Sequence, residues 1–431
     1  MNAIEIRDIR RESSGGLEEL SARVTGLPED RLWFRFPARY ADWVQESPEP
    51  FLAALLPIAM SKNLAVRAEG QAAPEFRSGI QHIARLYHGW DRRLRRVKIE
   101  VASGERTRAD ARAVGCFFTG GVDSFYTVLK NLDRERGDNR ITHLIFIRGY
   151  ADCPLENATL WANLTGRLEA AAADLGLELI VAETNLKTFT PAPGVAWDWF
   201  AGSQLASVGL CLTGGLRRLY IPGGDTYSTL SPWGSHPLVD PLWSTDGLEF
   251  RHDGCEAYRS EKLNRVARWP AAMKQLWVCG YDPSGLRNCG TCEKCLRTMI
   301  GLAALSADVP RELFAEPLDL ERVRRLDGGN RVIRYYLRDN LNLLTQTRRT
   351  ELVRAAVERA LRPDPVRWLA RVWQATARET DRFLFGGRIR SWALGAAGAN
   401  PVRHADLRSS PWKWFLREVV KLASHRTRKA P

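Results

Sequence analysis

Four cysteines and one glycine turn carry most of the chemistry legible in this chain. Cys279, Cys289, Cys292 and Cys295 fall within 17 positions. The two short CxxC spacings let sulfurs converge on one ion, and the upstream cysteine can complete a tetrahedron. Four protein ligands leave no open coordination position, so a Zn2+ ion held this way serves structure, and its binding adds to the stability of the segment that holds it. Three cysteines at CxxCxxC also suit an iron–sulfur cluster. The remaining cysteines, Cys116, Cys153, Cys211 and Cys255, stand singly and read as small core residues.

The second feature is Thr119-Gly120-Gly121-Val122-Asp123-Ser124, between the apolar run Ala113–Phe118 and a helical pattern over Ser124–Leu132. Two glycines let the backbone curl so that amide N–H groups converge, and the helix beginning near Asp123 adds its positive end. An anion is favoured there, and the Thr119 and Ser124 hydroxyls can donate to phosphate oxygens. Asp123 could cap the helix or help order Mg2+. The turn lacks the lysine of a GxxxxGK[ST] loop and does not read GxGxxG, which excludes the two commonest nucleotide fingerprints. A structural glycine turn is the plain alternative.

Such a turn needs a sheet to hold it. After residue 113 the pattern alternates strand, turn and helix: strands at Ile141–Ile147, Leu177–Ala182 and Leu219–Pro222, helices at Leu160–Leu175 and Gln204–Leu212. This predicts an α/β fold with a parallel, Rossmann-like sheet and ligands at the carboxyl ends of its strands. Pro222-Gly223-Gly224-Asp225-Thr226-Tyr227 falls at that edge and should line an acceptor pocket, with the aromatic-rich stretch Trp233–Trp243. His236 could relay a proton or simply be a hydrogen-bonded loop histidine. Asp225 and Asp240 could read donors on a heterocycle, bind metal, or cap turns.

The turn, the Ser260-Glu261-Lys262 helix start, Trp277-Val278-Cys279 and Cys289-Gly290-Thr291-Cys292-x-x-Cys295 followed by Arg297 stand in one order. In that order they resemble the PP-loop ATP pyrophosphatase superfamily, with Thr119 in place of the first serine of its SGGxDS loop. The nearest branch is that of 7-cyano-7-deazaguanine synthase, and the likeness covers about residues 113–300. It implies a HUP-type domain that splits ATP into AMP and pyrophosphate. A carboxylate would attack the α-phosphorus to give an acyl-adenylate, and ammonia or an amine would displace AMP. It also implies Mg2+ with the ATP, Zn2+ rather than iron–sulfur at the cysteines, Asp123, Ser124 and Lys262 as catalytic residues, and Thr119–Ser124 as the ATP grip.

At 431 residues the chain should divide into two or three units. The reading is a small α+β accessory domain over 1–110, an ATP-binding domain with its four-cysteine zinc site over 111–300, and a helical basic region over 301–431. Strands are expected at Trp33–Phe36, Leu64–Arg67 and Val97–Ala102. Helices are expected at Phe51–Met60, Ser78–Trp90, Leu313-Phe314, Val332–Leu344, Leu352–Leu361, Val366–Ala375 and Trp412–Ala423. The net charge of +13 is concentrated in residues 331–431, where 22 Lys and Arg face 8 Asp and Glu. A basic region can track a nucleic acid, meet anionic lipid, present a protein acceptor, or simply be a solvated helical surface. The charged N-terminus does not read as a secretion signal, and no apolar run is long enough to cross a bilayer, so a cytoplasmic protein acting on a small carboxylate is expected. Two further readings stay open: an RNA-modifying enzyme and a non-catalytic ATP-binding scaffold.

Overall fold

The computed structural model describes residues 3–104, 111–150, 153–189, 199–344 and 350–362. All of these fall in one compact unit, Met1–Arg362. The helices expected at Val366–Ala375 and Trp412–Ala423, with most of the basic region, lie outside the described residues.

The fold is α/β around a ten-stranded, mostly parallel sheet. Its central strands are β6 (Ala113–Phe117), β7 (His143–Arg148), β8 (Glu178–Thr184), β9 (Leu216–Pro222) and β10 (Glu249–Asp253). They pair in parallel in the order β10-β9-β6-β7-β8. Strand β7, HLIFIR, is buried along almost its whole length, the near-continuous apolar run required of a strand covered on both faces. Successive residues point to opposite faces. Thus Leu144 and Phe146 join one core, and Ile145 and Ile147 the other.

The first 104 residues extend this sheet rather than standing apart from it. Strand β3 (Arg31–Pro37) pairs antiparallel with β8, and β2 (Leu17–Thr25), β1 (Ala3–Ser14), β4 (Ala65–Ala72) and β5 (Ile99–Ser103) follow outward. The junction is held by Thr184 Oγ1, which donates to the Trp33 carbonyl at 2.8 Å, and by Asn185 Oδ1, which accepts the Trp33 amide at 3.0 Å. Helix α1 (Glu49–Lys62), buried from Glu49 to Met60, packs on the central region's α6 (Ala201–Cys211), so one apolar core spans both segments. Helix α2 (Pro74–Trp90) lies on the same face, through Phe76, Ile80, Ile83 and Tyr87.

The opposite face is covered by α3 (Val122–Arg134) and α4 (Ala158–Leu175). The short α5 (Leu186–Phe189) buries Leu186 and Phe189 in the first core. Helices α7 (Arg259–Ala267), α8 (Pro270–Gln275) and α9 (Glu293–Ala304) continue the second core, and α10 (Leu320–Arg324), α11 (Arg331–Leu344) and α12 (Glu351–Leu361) build a third cluster on α9. Leu313-Phe314, expected as helix, instead forms a β-bridge between Phe314 and Asn288. Among the described residues no helix is long and apolar enough to cross a membrane.

The chain runs from β6 outward through β7 to β8, then returns to place β9 on the other side of β6. The carboxyl ends of β6 and β9 therefore flank the point where the winding reverses, the crevice in which such sheets bind ligands.

Candidate nucleotide turn and metal knuckle

The Thr119–Ser124 turn leaves β6 at this reversal point. Gly120 sits at φ +70° and Gly121 is the N-cap of α3, with no side-chain cap on the helix. The first-turn amides are thus left to water or a ligand. Thr119 is exposed and Val122 is buried in the core. Ser124 is also buried and its hydroxyl donates to the Gly121 carbonyl at 3.0 Å, closing the turn on itself.

Asp123 does not cap the helix. It forms an ion pair with Arg259, the first residue of α7, and its Oδ1 lies 3.5 Å from Lys262 Nζ and accepts no hydrogen bond. Burial alone would raise the Asp123 carboxyl, but Arg259 and Lys262, with Arg297 farther off, outweigh it and hold the group below the usual carboxylate range. Lys262 has no exposed surface, and its ammonium donates to the Gly223 carbonyl at 2.7 Å. One buried cation thus ties the turn after β6 to the turn after β9. A charge so deep is tolerated only with such partners.

Asp225, two residues beyond Gly223, shares this field. Burial raises its carboxyl above the ordinary range, and the Asp123 charge adds to that against Lys262. The other expected pocket residues divide. Tyr227 is 67% exposed at the rim, while Thr226 is buried with its hydroxyl bonded to those of Ser228 and Thr229. His236 lies in the loop, where its Nδ1 accepts the Leu238 amide at 3.0 Å and its ring packs on Trp90. Burial lowers its basicity. Asp240 is fully buried and engaged, accepting Ser235 Oγ and facing His252 Nδ1, each at 2.7 Å.

Residues absent from the sequence reading support this edge. Asp339 of α11 accepts both the Ser260 amide (2.8 Å) and the Ser260 hydroxyl (2.6 Å), capping α7 from another helix. Tyr336, one turn earlier on α11, lies under the Arg297 guanidinium at 3.8 Å. No local spacing announces contacts between residues so far apart.

The four sulfurs of Cys279, Cys289, Cys292 and Cys295 all lie within 4.8 Å of one another, and Cys289 and Cys295 are 3.8 Å apart. Zinc–sulfur bonds of about 2.3 Å in a tetrahedron imply sulfur–sulfur edges of about 3.8 Å, so the set fits one ion of that size. Gly290, at φ +73°, makes the knuckle turn, and Cys292 is the N-cap of α9, whose positive end favours thiolates. The amides of Cys292, Tyr281 and Cys295 point at the sulfurs of Cys289, Cys279 and Cys292 at 3.3–3.4 Å. The neighbouring sulfurs hold Cys289 below the ordinary thiol range and Cys292 and Cys295 above it. Four thiols this close do not all ionise without a cation among them.

Asn288 secures the knuckle. Fully buried, it accepts the Val278 and Cys279 amides (2.8 and 3.0 Å) and donates to the Leu276 and Leu313 carbonyls (both 3.0 Å). The same segment reaches the glycine turn: the Trp277 amide donates to the Gly120 carbonyl at 2.7 Å. Comparisons with protein-family models, curated proteins and solved structures give no match.

Proposed function

We propose that this chain binds ATP at Thr119–Ser124 and uses it to adenylate a carboxylate, releasing pyrophosphate, before an amine or ammonia takes the acyl group. The observation that carries this reading is the convergence of Arg259, Lys262 and the uncapped start of α3 on one turn at the sheet's reversal point. Cations and aligned amides there would hold the charge that develops on leaving pyrophosphate. Ser124 keeps the turn closed through Gly121, and Thr119 alone offers a free-facing hydroxyl. The Oδ1 of Asp123, which accepts no hydrogen bond, and the neighbouring Asp225 are the hard oxygen donors that Mg2+ would use. That ion would supply charge neutralisation for the phosphates. Zn2+ at the cysteine knuckle is structural in this reading, and through Trp277 it braces the turn.

The test is calorimetry with ATP and Mg2+, followed by assay of AMP and pyrophosphate with and without added RNA. Binding with release in the presence of a small carboxylate supports the proposal. Release only with RNA replaces it with an RNA-modifying activity, and binding without release leaves an ATP-responsive scaffold. Asp123→Asn, which keeps an oxygen facing Arg259, should abolish release in a chain that still folds and retains its metal. Undiminished release in that variant removes Asp123 from the chemistry.

A further inference from the structure

One arginine carries a fork of donors that the folded chain does not use. Among the described residues, Arg148, Arg167, Arg217, Arg265 and Arg297 each bury an Nε that has no hydrogen-bond partner. The first four still donate through their other nitrogens, to the carbonyls of Leu155, Leu286 and Asp138 and to the Asp133 carboxylate. Arg297 differs. Its ion-pair partner, Glu293 Oε1, lies 3.6 Å from Nη1, beyond hydrogen-bond reach. The side chain is nevertheless only 11% exposed. A buried guanidinium with open donors costs free energy, and a ligand that met them would recover it.

The surroundings hold that fork in place. Arg297 lies on α9, five residues beyond the Cys292 cap, and its guanidinium stands 3.8 Å over the ring of Tyr336 on α11. Asn340, one turn further along α11, donates to the Arg297 carbonyl at 2.9 Å, so the two helices are tied at this residue. The backbone and the face of the guanidinium are thus fixed without engaging its N–H groups.

The cavity that Arg297 lines is shared with the counter-ion of the glycine turn. Its wall also includes Arg259 of α7, Thr298 of α9, and Tyr336 and Asp339 of α11. Arg259 is the residue ion-paired with Asp123, so a single side chain links the cavity to the Thr119–Ser124 turn. Arg297 also belongs to the cations that together outweigh burial at the Asp123 carboxyl. Asp339 would oppose an anion here, but both its oxygens are engaged by the Ser260 amide and hydroxyl. Two guanidiniums beside one cavity suit phosphate oxygens, which arginine grips two at a time.

We propose that Arg297 is a further phosphate-binding residue, which with Arg259 takes the terminal phosphates of ATP and holds pyrophosphate once it is released. The proposal rests on the adenylation reading and adds to it a residue from outside the turn and α7. The plain alternative is a brace between α9 and α11, with the contact to Tyr336 as its whole purpose. The two roles differ in what they see of the ligand. AMP lacks the outer phosphates, so a grip on those phosphates strengthens ATP and pyrophosphate but not AMP.

The test is calorimetry of the zinc-loaded full chain with ATP, AMP and pyrophosphate, each with Mg2+, in wild type, Arg297→Gln and Arg297→Lys. Loss of a charge-assisted pair of hydrogen bonds lowers affinity about 10- to 100-fold. In Arg297→Gln, affinity for ATP and pyrophosphate should fall by that factor while AMP affinity holds. Arg297→Lys keeps the charge beside Tyr336 and guards the fold, and it should recover only part, because an ammonium has no fork. Equal losses for ATP and AMP in both variants, or undiminished pyrophosphate affinity in Arg297→Gln, overturn the proposal and leave Arg297 a brace. The two ideas fail differently. A wild type without ATP affinity defeats the adenylation reading and this assignment with it, whereas ATP affinity indifferent to Arg297 defeats the assignment alone.

Discussion

The glycine turn after β6 and the cysteine knuckle are built from the same local device and maintained in opposite ways. Each has a glycine at positive φ, Gly120 at +70° and Gly290 at +73°, shortly before the start of a helix, α3 or α9. Each helix start favours negative charge. The knuckle then satisfies itself almost entirely from residues 276–295 and the bridge at Leu313. The turn draws its counter-charges from Arg259 and Lys262 on α7, which is in turn capped by Asp339 of α11. A self-contained site stands or falls with its own ion; a site assembled from the whole chain can be tuned piece by piece.

The largest expected effect follows from removing a knuckle ligand. Cys292→Ser takes away one sulfur ligand, while the serine hydroxyl can still cap α9. Binding of a structural zinc is worth on the order of 10 kcal/mol, so metal content and soluble yield should fall together. A stable, zinc-replete Cys292→Ser protein would contradict a structural role. Asn288→Ala should come next. It strands the Val278 and Cys279 amides and the Leu276 carbonyl in the buried interior, while the Leu313 carbonyl keeps the backbone amide of residue 288, for about 3 kcal/mol or more, and should weaken zinc binding about 10- to 100-fold as an outer partner of Cys279. Gly290→Ala should cost a similar amount, because its Cβ would overlap the backbone carbonyl of Glu316. Thermal melting with metal analysis checks both; an unchanged midpoint in either would show that the knuckle is braced elsewhere.

This contrast also explains what the sequence discloses. The knuckle and the turn are legible because their spacing is short and their glycines are mandatory. The parallel strands β6 to β9 are legible because strands buried on both faces read as continuous apolar runs. Strands β1 and β2 escape notice because their charged residues, among them Arg10, Arg11, Glu18 and Glu19, mask the alternation of Ile4, Ile6, Leu20 and Ala22. Glu18 is even buried, accepting from Arg11 at 2.7 Å. The His252–Asp240 pair is equally silent: twelve residues and a change of element separate its members, and β10 carries only one fully buried side chain, Phe250.

A smaller effect distinguishes the two regions by pH. Burial opposes the charge on His252, yet its partners, Asp240 foremost, hold the ring at about 9 in the folded chain against an ordinary value near 6.5. A raised cation stabilises the fold fully below about pH 6.5, and that contribution disappears as pH rises through about 9. About 3 kcal/mol is at stake on this scale. Melting midpoints should therefore fall between about pH 6.5 and 9.5, while zinc content holds, because alkaline conditions favour thiolate ligands. His252→Gln should flatten the decline. A decline of the same slope in that variant would place the sensitive group elsewhere.

The smallest effect is expected at the turn's own glycine. Gly120→Ala places a Cβ at φ +70°, at about 1–2 kcal/mol for the left-handed backbone. Its nearest neighbour is the Leu168 Cδ2 methyl at 3.0 Å, the end of a side chain that can rotate away, whereas Gln275 O and the Trp277 Cβ stay 3.5 and 3.6 Å off. The fold should therefore tolerate the change where Gly290→Ala is not tolerated. On the ATP reading proposed above, affinity should fall about tenfold, since the carbonyl that accepts the Trp277 amide at 2.7 Å fixes the direction of the following amides. Calorimetry beside melting decides the matter. Equal losses of stability at the two glycines would mean that the turn is as rigidly enclosed as the knuckle. Undiminished ATP affinity would mean that the Gly120 backbone does not shape the phosphate grip.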